Sequence, residues 1–212
     1  MSKKKQIEGC RRIEGSIILV DLSGFTQLLY HASNDERLMN FVLHAMKRLF
    51  DDAMKAADAS DDVRIINNTG DGFIALATGT KPSRAAVDFA RRVQDHFKTY
   101  VSSIIGSMPF RQRTELRIAL HHGHVHEIDI ERHGEPPYQV YVSDDINLLA
   151  RVANSQVARR QGLAITRSFL RRLLQSKGEL PLPAEVILDR NRYPEQIEVY
   201  GLPEQVSSTK AR

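Results

Sequence analysis

The stretch GSIILVDL (15–22) constrains this chain more than any other. It is an unbroken apolar run rich in β-branched residues, bounded by Gly15 in front and by Ser23-Gly24 behind. Such a run fits a strand buried on both faces at the centre of a sheet. Yet it carries a carboxylate, Asp21, near its end. A buried ionised acid needs a cation, hydrogen-bond donors or water to offset its lost hydration. The next residues, LSGFTQLL, begin a helix. Backbone N–H groups around Ser23, Gly24, Phe25 and Thr26, at its positive end, form a cradle for a phosphate. An acid beside an anion site makes chemical sense when a metal ion sits between them; the plainer alternative is an acid that only caps its helix.

The rest of the chain has to build layers around that strand. Leu38, Phe41, Val42, Ala45, Leu49 and Phe50 recur at helical spacing, predicting a long amphipathic helix from Asn34 to about Ala57. VRIINNTGDGFIALAT (63–78) has two short apolar, β-rich segments around Thr69-Gly70-Asp71-Gly72, the pattern of a tight hairpin. A second long helix follows Pro82-Ser83, with Gly106 near its end. Residues 114–123 and 124–131 read as two strands joined at Gly123, and 138–142 as a short extended piece. Ser143-Asp144 caps a helix running to about Arg160. A strand at 163–166, a helix over 167–176, and strands at 184–189 and 196–202 complete the chain. The alternation implies an α+β sandwich in one domain, with helices covering a sheet.

Asp71 is the second acid of interest. The hairpin needs Asp-Gly for its turn in any case, but two acids, each at the end of a core strand, can meet at one sheet edge and clamp two Mg²⁺ or Mn²⁺ ions with substrate phosphates. The third element is the helix DDINLLARVANSQVARR, whose apolar face is assigned to Ile146, Leu149, Ala150, Ala153 and Val157. Asn147 and Arg151 stand one turn apart on another stripe. An Asn amide suits a sugar oxygen and the planar Arg fork suits phosphate.

Composition narrows the function classes. With 42% apolar residues in 212, the chain can bury a core without staples, and one cysteine excludes a disulfide framework. The net charge of +4 attracts polyanions, but no stacking-aromatic pattern accompanies it, so nucleic acid is not the expected partner. No apolar run is long enough for a membrane span. The start, MSKKKQIEGCRRIEG, lacks the apolar segment of a signal peptide, and a cytoplasmic location is expected. His121, His122, His124 and His126 suggest zinc, yet no recognised ligand spacing surrounds them, and they are read as strand or surface histidines.

Taken together, VDLSGFTQLL, NNTGDGFIALA, LRIALHHGHV, SDDINLLARVA and the closing PEQIEVYGL resemble, in order, the segments of the class III adenylyl and guanylyl cyclase catalytic domain. The likeness spans about residues 15–202. It implies a ferredoxin-like βαββαβ core covered by helices, with a catalytic domain over 14–203 between a flexible basic N-terminus (1–13) and a flexible C-terminus (204–212). It also implies that Asp21, Asp71 and the carbonyl of Leu22 hold two Mn²⁺ or Mg²⁺ ions per site. Asn147 would orient the ribose and Arg151 would stabilise the α-phosphate, in a reaction that turns a nucleoside triphosphate into a 3′,5′-cyclic nucleotide and pyrophosphate. Family sites take their aspartates from one protomer and the Asn and Arg from the other, so a head-to-tail homodimer is implied.

The likeness departs from the family pattern at the base. Purine cyclases read the base with Lys or Glu at the position of Asn67 and a polar residue at that of Val140, which cannot hydrogen-bond a base edge. The family's late phosphate-binding Lys falls near Arg190, Asn191 and Arg192. With the metal and transition-state positions intact, altered specificity is favoured over decay. The small chain resembles the bacterial pyrimidine cyclases of Pycsar-type anti-phage defence, which implies UTP as substrate and cyclic UMP as a second messenger. The amide of Asn67 both donates and accepts, as a pyrimidine edge requires. The alternatives are an adenylate or guanylate cyclase, or a non-catalytic cyclase-like domain that senses nucleotide or partners.

Overall fold

The computed structural model describes residues 9–106, 114–132, 135–175, 180–189 and 193–202. The strand centred on GSIILVDL is β1 (Cys10–Ser23), so residues 10–13, assigned by sequence to the N-terminal segment, belong to the strand. It is followed by α1 (Phe25–Ala32) and α2 (Glu36–Asp58), and then by the hairpin β2 (Val63–Asn68) and β3 (Gly72–Ala77). After α3 (Pro82–His96) come a π-helical turn (Phe97–Val101) and α4 (Ser102–Gly106). The chain continues through β4 (Glu115–Arg132), β5 (Glu135–Val142), α5 (Asp144–Ala153), α6 (Gln156–Gln161), β6 (Leu163–Thr166), α7 (Arg167–Leu174), β7 (Glu185–Asp189) and β8 (Tyr193–Tyr200).

The strands form one sheet in the order β2-β3-β1-β4-β6-β8-β7, with β5 paired to β4. The block β2-β3-β1-β4 is antiparallel throughout, which is the βαββαβ core the resemblance implies. β1 lies at its centre, paired along one edge with β3 and along the other with β4. Its alternate residues serve two cores, as an interior strand must. Ile18, Val20 and Leu22 pack with α1, α2, α3 and α7; Ile17 and Leu19 pack with α5 and α6. Helices therefore cover both faces of the sheet.

Four sequence expectations are corrected. The two strands joined at Gly123 are one continuous strand, β4. Gly123 has another use: a Cβ there would lie 2.1 Å from Asp145 Oδ2, so the Asp145 and His121 side chains would have to shift. The helix expected to run to Arg160 breaks at Asn154-Ser155, where the Ser155 hydroxyl accepts from Ala158 N–H (3.1 Å) and starts α6. Of the face expected on α5, Leu149 and Ala153 are buried, but Ala150 is exposed and Val152 is buried in its stead. The long helix after Pro82 loosens into a π-turn, next to the Thr99 hydroxyl bonded back to the Asp95 carbonyl (2.8 Å). Elsewhere the expected spans agree to within a few residues. No helix among the described residues is long and apolar enough to cross a membrane.

Candidate active site

β1 delivers Asp21 to the carboxyl end of the central strand, where its Cα partners are Gly72 on β3 and Arg117 on β4. The hairpin tip folds onto this end. Leu22 N–H donates to the Asp71 carbonyl (3.2 Å), extending the β1–β3 ladder by one bond beyond the strand. Thr69 N–H donates to the Gly72 carbonyl (3.0 Å), and the Asn68 side chain accepts from Gly70 N–H (2.8 Å). Gly70 has φ +95°, a conformation that an L side chain resists. Gly72 is needed for space, since a Cβ would fall 1.9 Å from the Val20 carbonyl oxygen.

The two acids therefore converge. Asp21 and Asp71 line one cavity of about 350 Å³ together with Leu22, Ser23, Gly24, Phe25, Thr26 and Gln27. Burial raises the pKa of Asp21 above its ordinary value, and the charge of Asp71 pushes it the same way, against a smaller opposing pull from Arg117. A carboxylate held beside a second one at a cost to its charged form is a hard-oxygen donor pair whose repulsion a divalent cation offsets. Among the described residues no group of three or more His, Cys, Asp or Glu side chains forms a metal cluster; a cation in this cavity would have the two carboxylates and neighbouring backbone oxygen as its protein donors. Gly24 precedes α1 with φ +80°, and no side chain caps the helix. The Phe25 ring is buried in the core, so its backbone is what it offers to the cavity.

The other expected residues lie apart. Asn147, exposed, and Arg151, half-buried, line a separate cavity of about 520 Å³ with Ala150, Asn154, Ser155, Glu185 and Ile187. The two cavities share no residue. Asn67 is exposed at the bulged stem of the hairpin, opposite Ile74. Val140 pairs with Ile128, itself opposite Cys10 at the far end of β1. That is on the order of 30 Å along the strand from Asp21, so one chain does not bring Asn67 and Val140 together. Arg190, Asn191 and Arg192 lie outside the described residues. Sequence reading missed Gln27 and Arg117. Arg117 faces Asp21 in register and donates to Asn154 Oδ1 at the end of α5 (3.1 Å), a role visible only from cross-strand pairing. Of the histidines, His121 is buried and sits within hydrogen-bonding distance of Thr166 and Ser168, while His122 does so with Ser16 and Glu14.

Comparison with known proteins places this geometry. The family model for the adenylate and guanylate cyclase catalytic domain matches residues 11–192. No curated protein matches the sequence. Among solved structures, the adenylyl cyclase CyaB from P. aeruginosa is similar at TM-score 0.66 and 15% identity, over 90% of this chain and 94% of that one. The guanylate cyclase domain of RhGC from Catenaria anguillulae, in complex with GTP, gives TM-score 0.65 and 16% identity, over 90% and 96%. The non-canonical dimeric guanylyl cyclase domain of the RhoGC fusion protein from the aquatic fungus Blastocladiella emersonii gives 0.61 and 16%, over 84% and 92%. The chain belongs to the adenylate and guanylate cyclase catalytic-domain family, the class III nucleotide cyclases.

Proposed function

We propose that this cyclase is a head-to-tail homodimer that converts UTP to cyclic UMP and pyrophosphate, a second messenger of antiviral defence in the cytoplasm. One observation carries the catalytic part of this reading. Asp21 and Asp71 share one cavity, while Asn147 and Arg151 line another, so each chain presents two unlike half-sites. A twofold axis joins the acidic half of one protomer to the Asn/Arg half of its partner.

The residues divide the work as follows. The carboxylates of Asp21 and Asp71 and the Leu22 carbonyl hold two Mn²⁺ or Mg²⁺ ions, whose chemistry when bound is to lower the pKa of the 3′-hydroxyl and neutralise charge on the phosphates. Backbone N–H groups from Ser23 to Thr26 cradle the β- and γ-phosphates. Asn147 fixes the ribose, so that its 3′-oxygen lies in line with the α-phosphorus. The new 3′-O–P bond forms as the bond to pyrophosphate breaks, and the 3′ proton leaves to solvent. Arg151 presents its planar fork to the α-phosphate as charge builds there. Asn67 reads the base through an amide that both donates and accepts, and Val140 of the second protomer leaves the purine-reading contact unmade. Arg190 or Arg192 stands in for the late phosphate-binding lysine.

The test is turnover of each of the four labelled nucleoside triphosphates by the purified protein with Mn²⁺ and with Mg²⁺. Cyclic UMP as main product is expected. A cyclic purine as sole product would make the chain an adenylate or guanylate cyclase. No product from any nucleotide by a folded protein that still binds nucleotide would leave the non-catalytic reading.

A further inference from the structure

A cleft of about 910 Å³, larger than either half of the candidate site, opens between the N-terminal end of α3 and α7. It lies over the start of β1, at Glu14, seven residues from Asp21 and therefore about 23 Å along the strand. Its lining is strongly cationic: Lys81, Arg84, Arg171 and Arg172 face it, with Glu14 as the one carboxylate. Arg84 pairs with Asp88 (3.6 Å) on the same helix. Lys81, Arg171 and Arg172 are in no ion pair among the described residues. Glu14 is already engaged, 3.3 Å from His122 Nε2 and 3.7 Å from His124 Nε2, and the His122 hydrogen bond holds its carboxyl below the usual range. Two basic residues in the last turn of α7 would suit the helix dipole alone. Their placement against Lys81 across a concave surface is what the dipole does not explain.

The walls are built rather than loose. Ser16 Oγ, fully buried, lies 3.0 Å from Ser83 Oγ and 3.2 Å from His122 Nδ1, which fixes the floor. Burial lowers the pKa of His122 and keeps its ring neutral near pH 7. On the other wall, Ser168 Oγ sits 3.2 Å from His121 Nδ1, and His121 Nε2 sits 3.3 Å from Asp145 Oδ1. Asp145 is in the first turn of α5, the helix that carries Asn147 and Arg151. A chain of polar contacts thus ties the cleft to that helix.

We infer that this cleft binds a small molecule bearing two or more phosphate groups, as an effector distinct from the substrate, with Lys81, Arg171 and Arg172 as its anion contacts. Convergent cations that outnumber the cleft's one carboxylate raise the local concentration of polyanions, and guanidinium forks match phosphate geometry. The volume fits an organic phosphate as well as an inorganic one.

The experiment is calorimetric titration of the full chain with tripolyphosphate in EDTA, where divalent-metal binding at Asp21 and Asp71 is suppressed. One site per chain is expected. Affinity should fall at least about tenfold in Arg171→Glu/Arg172→Glu and several-fold in the milder Lys81→Gln, while Asp21→Ala leaves it unchanged. A parallel titration with UDP separates the sources. Tighter binding than tripolyphosphate marks an organic ligand and equal or weaker binding an inorganic one, and either supports the site. Absence of binding, equal affinity in wild type and folded Lys81→Gln, or loss of binding in Asp21→Ala would overturn it.

Discussion

Asp21 carries the account at the scale of single residues. Its carboxyl is easier to protonate in the folded chain than in the unfolded one, first because burial strips its hydration and then because Asp71 repels it. The native state therefore binds more protons, and stability falls as pH rises from the ordinary carboxylate value through the raised one. Below that window the penalty is absent. Asp21→Asn should raise the melting temperature of the metal-free protein by a few degrees at pH 8 and lose that advantage as pH drops toward 4, measured by thermal unfolding across pH. An advantage constant with pH would remove the electrostatic cause. For activity, Asp21→Ala, Asp71→Ala and Arg151→Ala should each reduce cyclic nucleotide formation by about several hundred-fold or more, read by product assay. The acids were legible in the sequence because each closes an apolar strand-like run. Arg117 was not, since nothing local marks which residue of β4 falls opposite Asp21.

Among the elements, the hairpin β2–β3 and the helix α5 carry candidate residues of the two cavities. The hairpin's glycines do different jobs, and substitution separates them. Gly72→Ala drives a Cβ into the Val20 backbone, which cannot move as a side chain can. A loss of more than about 2 kcal/mol is expected by urea unfolding. At Gly70, with nothing within 4 Å of a built Cβ and φ +95°, Ala should cost only about 1 kcal/mol of backbone strain. Equal losses would contradict the close approach that holds the hairpin on β1. Turn chemistry and apolar periodicity made these elements readable in advance. The continuous β4 and the break between α5 and α6 were not readable that way. Gly123 looks like a strand end until Asp145 is known to press against it, and Asn154-Ser155 sits inside an otherwise helical pattern.

For the molecule as a whole, β1 is the axis: its two faces feed two cores, its carboxyl end carries the acid pair, and the cationic cleft lies over its first half. Phe73, fully buried between Phe50 and Phe89, belongs to the larger core, and Phe73→Ala should cost about 3–5 kcal/mol by the same unfolding measurement. Local signals marked the individual strands and helices of an α+β fold; their βαββαβ arrangement came from the family resemblance. The site's division was not legible locally, because a cavity on α5 and another at the end of β1 are facts of packing, and only the family resemblance suggested that two protomers complete one another.

The most direct test of that division mixes two inactive variants, Asp21→Ala and Arg151→Ala, under conditions that allow protomers to exchange. Each mixed dimer then holds one site with intact acids and an intact arginine, so an equimolar mixture should regain about a quarter of wild-type cyclic nucleotide formation. A mixture as inactive as either variant alone, with mixed dimers shown to have formed, would contradict the shared site.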